Sequence, residues 1–210
     1  MNRATRVSAI ALAMIFAISG ISHGVGEVLQ GNHPTNGFLI DAIGEEYQTW
    51  EHGGESAFTL IPNFLLSGIA AIGVSVLIAI WSFAFLHRPG GPWGLLGLFV
   101  MLLLVGGGIA QVLFFPWAVA VATRIRHPLT GWRRALPDRL RVILANVWPW
   151  LLSIGVLSML FALYIAVFGY VPGVPDADAR LLVVGLLLLV GLAGFQASFV
   201  AAFARDIERP

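Results

Sequence analysis

The chain has 210 residues, 58% hydrophobic and 11% charged, with a mean hydropathy of +0.87. Soluble domains carry roughly 25% charged residues. So few charges cannot coat a globule of this size, but they suffice for the two polar ends of a bundle whose sides face lipid. There is no cysteine, which excludes disulfides and thiolate metal sites, and a net charge of +1 points to no particular partner.

A membrane span needs roughly 20 mostly apolar residues. Taken in chain order, Val7–Leu29 qualifies, with Ser22, His23 and Glu27 in its last third. Arg3 and Arg6 precede it as they would a signal peptide, but the apolar stretch is long enough to remain as a first helix. The connection from Gln30 to Ser56 holds Asp41, Glu45, Glu46, Glu51 and Glu55 and no arginine. Within it Ile40, Ile43, Tyr47 and Trp50 follow spacings of three, four and three. This predicts a short amphipathic interfacial helix over Phe38–Trp50. No strand pattern is evident.

Ala57–Leu86 is a long uncharged second span, in which Asn63 after Pro62 suits capping or interhelical bonding. Gly94–Thr123 is apolar but interrupted by Gly106, Gly107, Gly108 and Pro116. Three consecutive glycines weaken a helix and permit a sharp turn. Val142–Tyr170 and Leu181–Ala204 complete the apolar segments. The expectation is an all-α, polytopic transmembrane bundle forming a single domain over residues 1–210. It has four full spans plus a broken or re-entrant third apolar segment, or five spans if that segment crosses.

The arginines bear on that choice, because cytoplasmic loops are enriched in Lys and Arg. All twelve cationic side chains are arginine. If the third apolar segment turns back, every arginine except Arg180 falls on the side of the N-terminus. If it crosses, the split is four inside and eight outside. The re-entrant arrangement is therefore favoured, placing both termini in the cytoplasm of a cell (inner) membrane. The Arg124–Arg141 loop then becomes a topogenic and anionic-lipid-binding element. Nucleic-acid binding is not expected from so short a loop.

His23 and Glu27 are the most informative residues. Their i, i+4 spacing puts them on one helix face, continued by Gln30. Ionisable groups within spans are costly, turn to the protein interior and often serve function. Gly20 and Gly24 form a small-xxx-small pair that admits a neighbouring helix. A His and a carboxylate so spaced can bind a metal ion, with His33, His52, Glu46 or Glu51 completing the set, or can pass a proton. They can equally form a structural hydrogen-bonded pair. Gln111, just after the triple glycine, is placed to meet the first helix in a shared cavity. Asn146 and Gln196 suit interhelical hydrogen bonds. No phosphate loop, Gly-x-Ser-x-Gly or His-Glu-x-x-His motif occurs, so no catalytic residue or organic cofactor is assigned.

The run Ser19-Gly20-Ile21-Ser22-His23-Gly24-Val25-Gly26-Glu27-Val28-Leu29-Gln30-Gly31-Asn32 resembles the start of a group of uncharacterised prokaryotic multi-pass membrane proteins. Ile61-Pro62-Asn63, Gly106–Gly108 and Ala122-Thr123-Arg124-Ile125 are similar to later parts of that group. The resemblance spans residues 19–125 and implies a membrane protein without implying an activity. Two function classes follow from the sequence. One is cation, metal or proton handling through an outward-facing His/Glu cluster. The other is a non-catalytic accessory or assembly subunit whose glycine faces bind partner subunits or a second copy.

Overall fold

The computed structural model describes residues 1–209. Its helices are α1 (Arg3–Leu29), α2 (Phe64–Ala84), α3 (Gly91–Leu104), α4 (Phe115–Thr123), α5 (Thr130–Ala135), α6 (Asp138–Phe168) and α7 (Ala177–Glu208). Two short antiparallel strands, β1 (Leu39–Asp41) and β2 (Ser56–Phe58), lie between α1 and α2. Four helices, α1, α2, α6 and α7, are long and apolar enough to cross a membrane. The chain is a multi-pass helical membrane protein.

α1 is the central post. Its most apolar window is 56% buried, against 22% for α6 and for α7, whose Leu-rich faces are left for lipid. The α1–α2 crossing is close because small residues meet there. A Cβ on Gly24 would come within 2.7 Å of the Gly68 carbonyl oxygen, and one on Gly20 would overlap Ser75 Oγ. Where lipid offers no hydrophobic drive, such backbone proximity supplies the packing. α6 and α7 pair in the same way through Gly155 and Gly194. Phe16 of α1 joins this core to the third apolar segment by an edge contact with Phe99, which stacks on Phe115 at 4.5 Å.

The third apolar segment is broken as the glycines predict. α3 has 14 residues, about 21 Å of helix, and α4 has nine, about 14 Å. Neither covers a hydrocarbon core of about 30 Å. Both ends of the segment lie at the same end of the bundle. Arg6 Nη2 donates to the Phe83 oxygen at 2.8 Å, in the last turn of α2 that leads into the segment, and Asn2 Nδ2 donates to the oxygens of Arg124 and His127, just after α4. The segment thus descends and returns. The C-terminus is at this end too. The Asp206 carboxylate accepts from Ala4 N and Thr5 N, both at 2.9 Å, and from Thr5 Oγ1 at 2.7 Å. It satisfies first-turn amides of α1 that would otherwise be orphaned. Trp148 donates to Ser8 Oγ at 2.9 Å, and α6 runs on through Pro149.

The opposite end differs from the sequence expectation. Phe38–Trp50 does not form an amphipathic helix. It contains β1 and a single 3-10 turn at Glu45–Tyr47. Residues 57–63, assigned from hydropathy to the second span, instead supply β2 and a turn that Asn63 closes by capping Leu66 N. The reason lies in the broken segment. Irregular backbone at membrane depth needs protein partners, and the hairpin provides them: Gly106 N donates to Phe58 O (2.9 Å) and Leu60 N to Leu104 O (2.8 Å). This cap is pinned to α6 by Trp50 Nε1 on the Ala166 oxygen (2.9 Å) and by Thr49 Oγ1 on the Val167 oxygen (2.5 Å).

Candidate functional site

The polar groups of α1 meet the glycine break beneath the cap. The glycine turn runs alongside this stripe of α1, with Gly106 opposite Glu27 and Gly108 opposite His23. Any side chain at Gly106 would overlap the Glu27 carboxyl, and a Cβ on Gly108 would come within 2.9 Å of the His23 ring. Their φ values are +101° and +95°, a region that glycine alone enters freely. The glycines thus make the turn and leave room for the two ionisable side chains.

His23 is 5% exposed, and its Nε2 pairs with Glu55 Oε2. Glu55, half-buried in the cap, provides the water-facing end of the pair. Burial opposes the charge on Glu55. The hydrogen bond from His23 and its positive charge outweigh that, holding the Glu55 carboxyl below the usual carboxylate range. His23 Nδ1 has no partner among the described residues.

Glu27 is fully buried, and neither carboxyl oxygen has a hydrogen-bond partner among the described residues. Ser67 of α2 sits beside it. However, the Ser67 hydroxyl is directed to Thr59 Oγ1 (2.7 Å) and the Val105 oxygen (3.1 Å), and it has one proton to give. Both sequence-singled residues turn inward, as their cost in lipid demands. They are not hydrogen-bonded to each other: His23 takes Glu55 and Glu27 stands alone.

Gln111 meets α1 as its position suggests. Its Nε2 reaches Ser19 Oγ at 3.3 Å and also donates to the Gly107 oxygen, while Oε1 is left unpartnered among the described residues. Gln30 continues the stripe but is structural, donating to the oxygens of Asp41 and Ala42 at 3.0 Å and so holding the start of the cap. Asn63 caps α2 and donates to Asn32 Oδ1 at 2.8 Å.

The further metal ligands considered from sequence are elsewhere. His52 pairs with Asp178 at 3.0 Å, while His33, Glu46 and Glu51 are exposed and do not join His23. Among the described residues no three His, Asp or Glu side chains converge as a metal site would require. Glu55 was legible only as one of five outer acids. Gly53-Gly54 before it marks a turn, yet nothing local says that this turn delivers the carboxylate to His23.

Beside the centre lies a cavity of about 560 Å³ between α1, the returning half of the broken segment, and the α6–α7 pair. Its walls are apolar, with Leu12, Phe16, Met159 and Leu188 among them. His23, Glu55, Ser19 and Gln111 line its polar end.

Comparisons with protein-family models, curated proteins and solved structures return no match.

Proposed function

We propose that this protein handles protons at a buried acid–base centre formed by Glu55, His23 and Glu27, opening toward the outer side of the membrane. The observation that carries the reading is Glu27. It is a carboxyl wholly removed from water, with no cation and no hydrogen-bond donor on it among the described residues, one helical turn from a histidine already paired with a second carboxylate. A lone ionised carboxylate in such surroundings costs several kcal/mol. A purely structural residue would be matched by a donor or replaced by an apolar side chain. The three groups also grade in exposure, with Glu55 half-buried, His23 nearly buried and Glu27 buried. That order suits stepwise transfer between the outer water and the membrane interior, with the imidazole as the middle carrier.

In this reading the arginine-rich end, with both termini and the Arg124–Arg141 loop, faces the cytoplasm and anionic lipid, following the charge rule. Metal binding is the weaker form of cation handling here, because the ligands needed to complete a coordination shell are exposed or engaged elsewhere. Accessory-subunit status draws on Gly73 and Gly97, whose open faces would admit a partner helix.

The test is proton uptake by the purified protein as pH is lowered across neutrality, read with a soluble indicator. The wild type should take up about one proton per chain more than Glu27→Gln, and His23→Gln should slow the uptake. Identical uptake and rate in wild type and Glu27→Gln would overturn the proposal.

A further inference from the structure

We infer that the crevice between the two ends of the broken segment binds the phosphate of an anionic glycerophospholipid. This deepens the reading of the arginine-rich end as the one that meets anionic lipid, and it involves neither Glu27 nor the acid–base centre. The crevice has a volume of about 330 Å³. Arg88, Pro92 and Trp93, in the turn from α2 into α3, form one wall. Thr123, Arg126 and His127, at and after the end of α4, form the other. Its backbone is held in place on both sides. Arg6 fixes the Phe83 oxygen, and Asn2 fixes the oxygens of Arg124, Ile125 and His127.

Charge selects the occupant. Every arginine except Arg180 belongs to this end, against the carboxylates of Asp138, Asp206 and Glu208. Those three are engaged elsewhere. Asp138 and Glu208 pair with Arg141, and Asp206 caps α1. Arg88 and Arg126 therefore face the crevice with no carboxylate on them among the described residues, and both are exposed, so their N–H groups can be reached. The Arg88 guanidinium lies over the Phe85 ring at 4.9 Å, a support that uses none of its N–H groups. His127 adds a ring N–H. Thr123 adds no donor, because its hydroxyl proton goes to the Ala120 oxygen at 2.7 Å.

A phosphate accepts hydrogen bonds on several sides and takes the paired N–H groups of guanidinium, so two arginines on one crevice suit it. An ammonium head would meet two like charges. A neutral head would leave both cations uncompensated. The setting makes the source a lipid. Trp93 is 65% exposed at the mouth, as interfacial tryptophans at head-group level are. Its face of α3 continues through Gly97 and Val100, both exposed, and nothing lies within 4 Å of a Cβ built on Gly97. An acyl chain can follow that face from the phosphate into the bilayer.

The experiment measures binding of radiolabelled dioleoylphosphatidylglycerol to the intact protein in nonionic detergent. Unlabelled phosphatidylglycerol, phosphatidylcholine and inorganic phosphate are the competitors. Phosphatidylcholine should compete about tenfold more weakly than phosphatidylglycerol, and inorganic phosphate in large excess should leave the lipid bound. Arg88→Gln/Arg126→Gln should weaken phosphatidylglycerol binding by about tenfold or more. Arg133→Gln/Arg134→Gln removes the same charge from α5, outside the crevice, and should change binding by less than about threefold. Equal losses in the two double variants would mean a diffuse basic field and would overturn the inference. Equal competition by phosphatidylcholine, or displacement of the lipid by inorganic phosphate, would overturn it too. The wild-type competition needs no variant, so the result does not depend on how well either variant folds. Binding in detergent is also independent of which leaflet this end faces and of proton uptake at Glu27, so either of those readings can fail while this one stands.

Discussion

Replacing Gly106 with alanine tests the break and the buried carboxyl together. Gly106 sits at φ +101°, and a Cβ built there would overlap the Glu27 carboxyl. A non-glycine residue in such a backbone region costs about 1–3 kcal/mol. Forcing a methyl group into a filled site costs about 1–3 kcal/mol more. The expected destabilisation is therefore about 2–6 kcal/mol, a fall in melting temperature of roughly 5–20 °C for a chain of this size. The control is Gly97→Ala in α3. It has open space around it and should be neutral or stabilising by up to about 1 kcal/mol. The double variant Glu27→Ala/Gly106→Ala separates the two causes. Removing the carboxyl relieves the overlap but not the dihedral strain, so the pair should fall short of additivity by about 1–3 kcal/mol. Thermal melting of the wild type, Gly97→Ala, Gly106→Ala, Glu27→Ala and the double variant in one detergent is the assay. If Gly106→Ala melts with the wild type, or if the double variant is simply additive, Glu27 does not lie against Gly106.

Asp206→Ala should cost about 2–3 kcal/mol, because it removes three hydrogen bonds to the start of α1; hydrogen exchange at Ala4 and Thr5 should rise with it. Exchange unchanged at those amides would count against the cap. The Glu55 carboxyl is held below its usual range, so its contribution to stability is complete above the unfolded value of about 4.3 and is lost as pH falls through the lower folded value. Glu55→Gln should therefore flatten the acid limb of stability against pH, and an acid limb identical to wild type would refute the pairing. A cysteine at Thr130, the chain having no other, should resist membrane-impermeant reagents added outside intact cells; labelling there would place the arginine loop on the outer side.

Much of the fold is written locally. Apolar length marks the four spans, the glycine triplet marks the break, and the grouping of arginines anticipates that Arg124 and the N-terminus share one end. The cap is not local. The i, i+3, i+4 spacing of Ile40, Ile43, Tyr47 and Trp50 mimics a helix. The chain there instead forms a hairpin because Leu104 and Gly106, some fifty residues on, need backbone partners at membrane depth. The site divides in the same way. That His23 and Glu27 turn inward follows from the cost of charge in lipid. That Glu55 rather than Glu27 takes the imidazole depends on where the hairpin delivers its last residues. Asp206 capping α1 from the far end of the chain is likewise a tertiary event, invisible to any window of sequence.

In the proposed function Glu27 gains and loses a proton inside the protein. Infrared difference spectroscopy of the purified protein between acid and alkaline pH reads this directly through the carbonyl stretch of a protonated carboxyl. The expected result is a band that disappears as pH rises, is absent in Glu27→Gln and survives in Glu55→Gln. A wild-type spectrum with no Glu27-dependent band at any pH where the protein stays folded would contradict it.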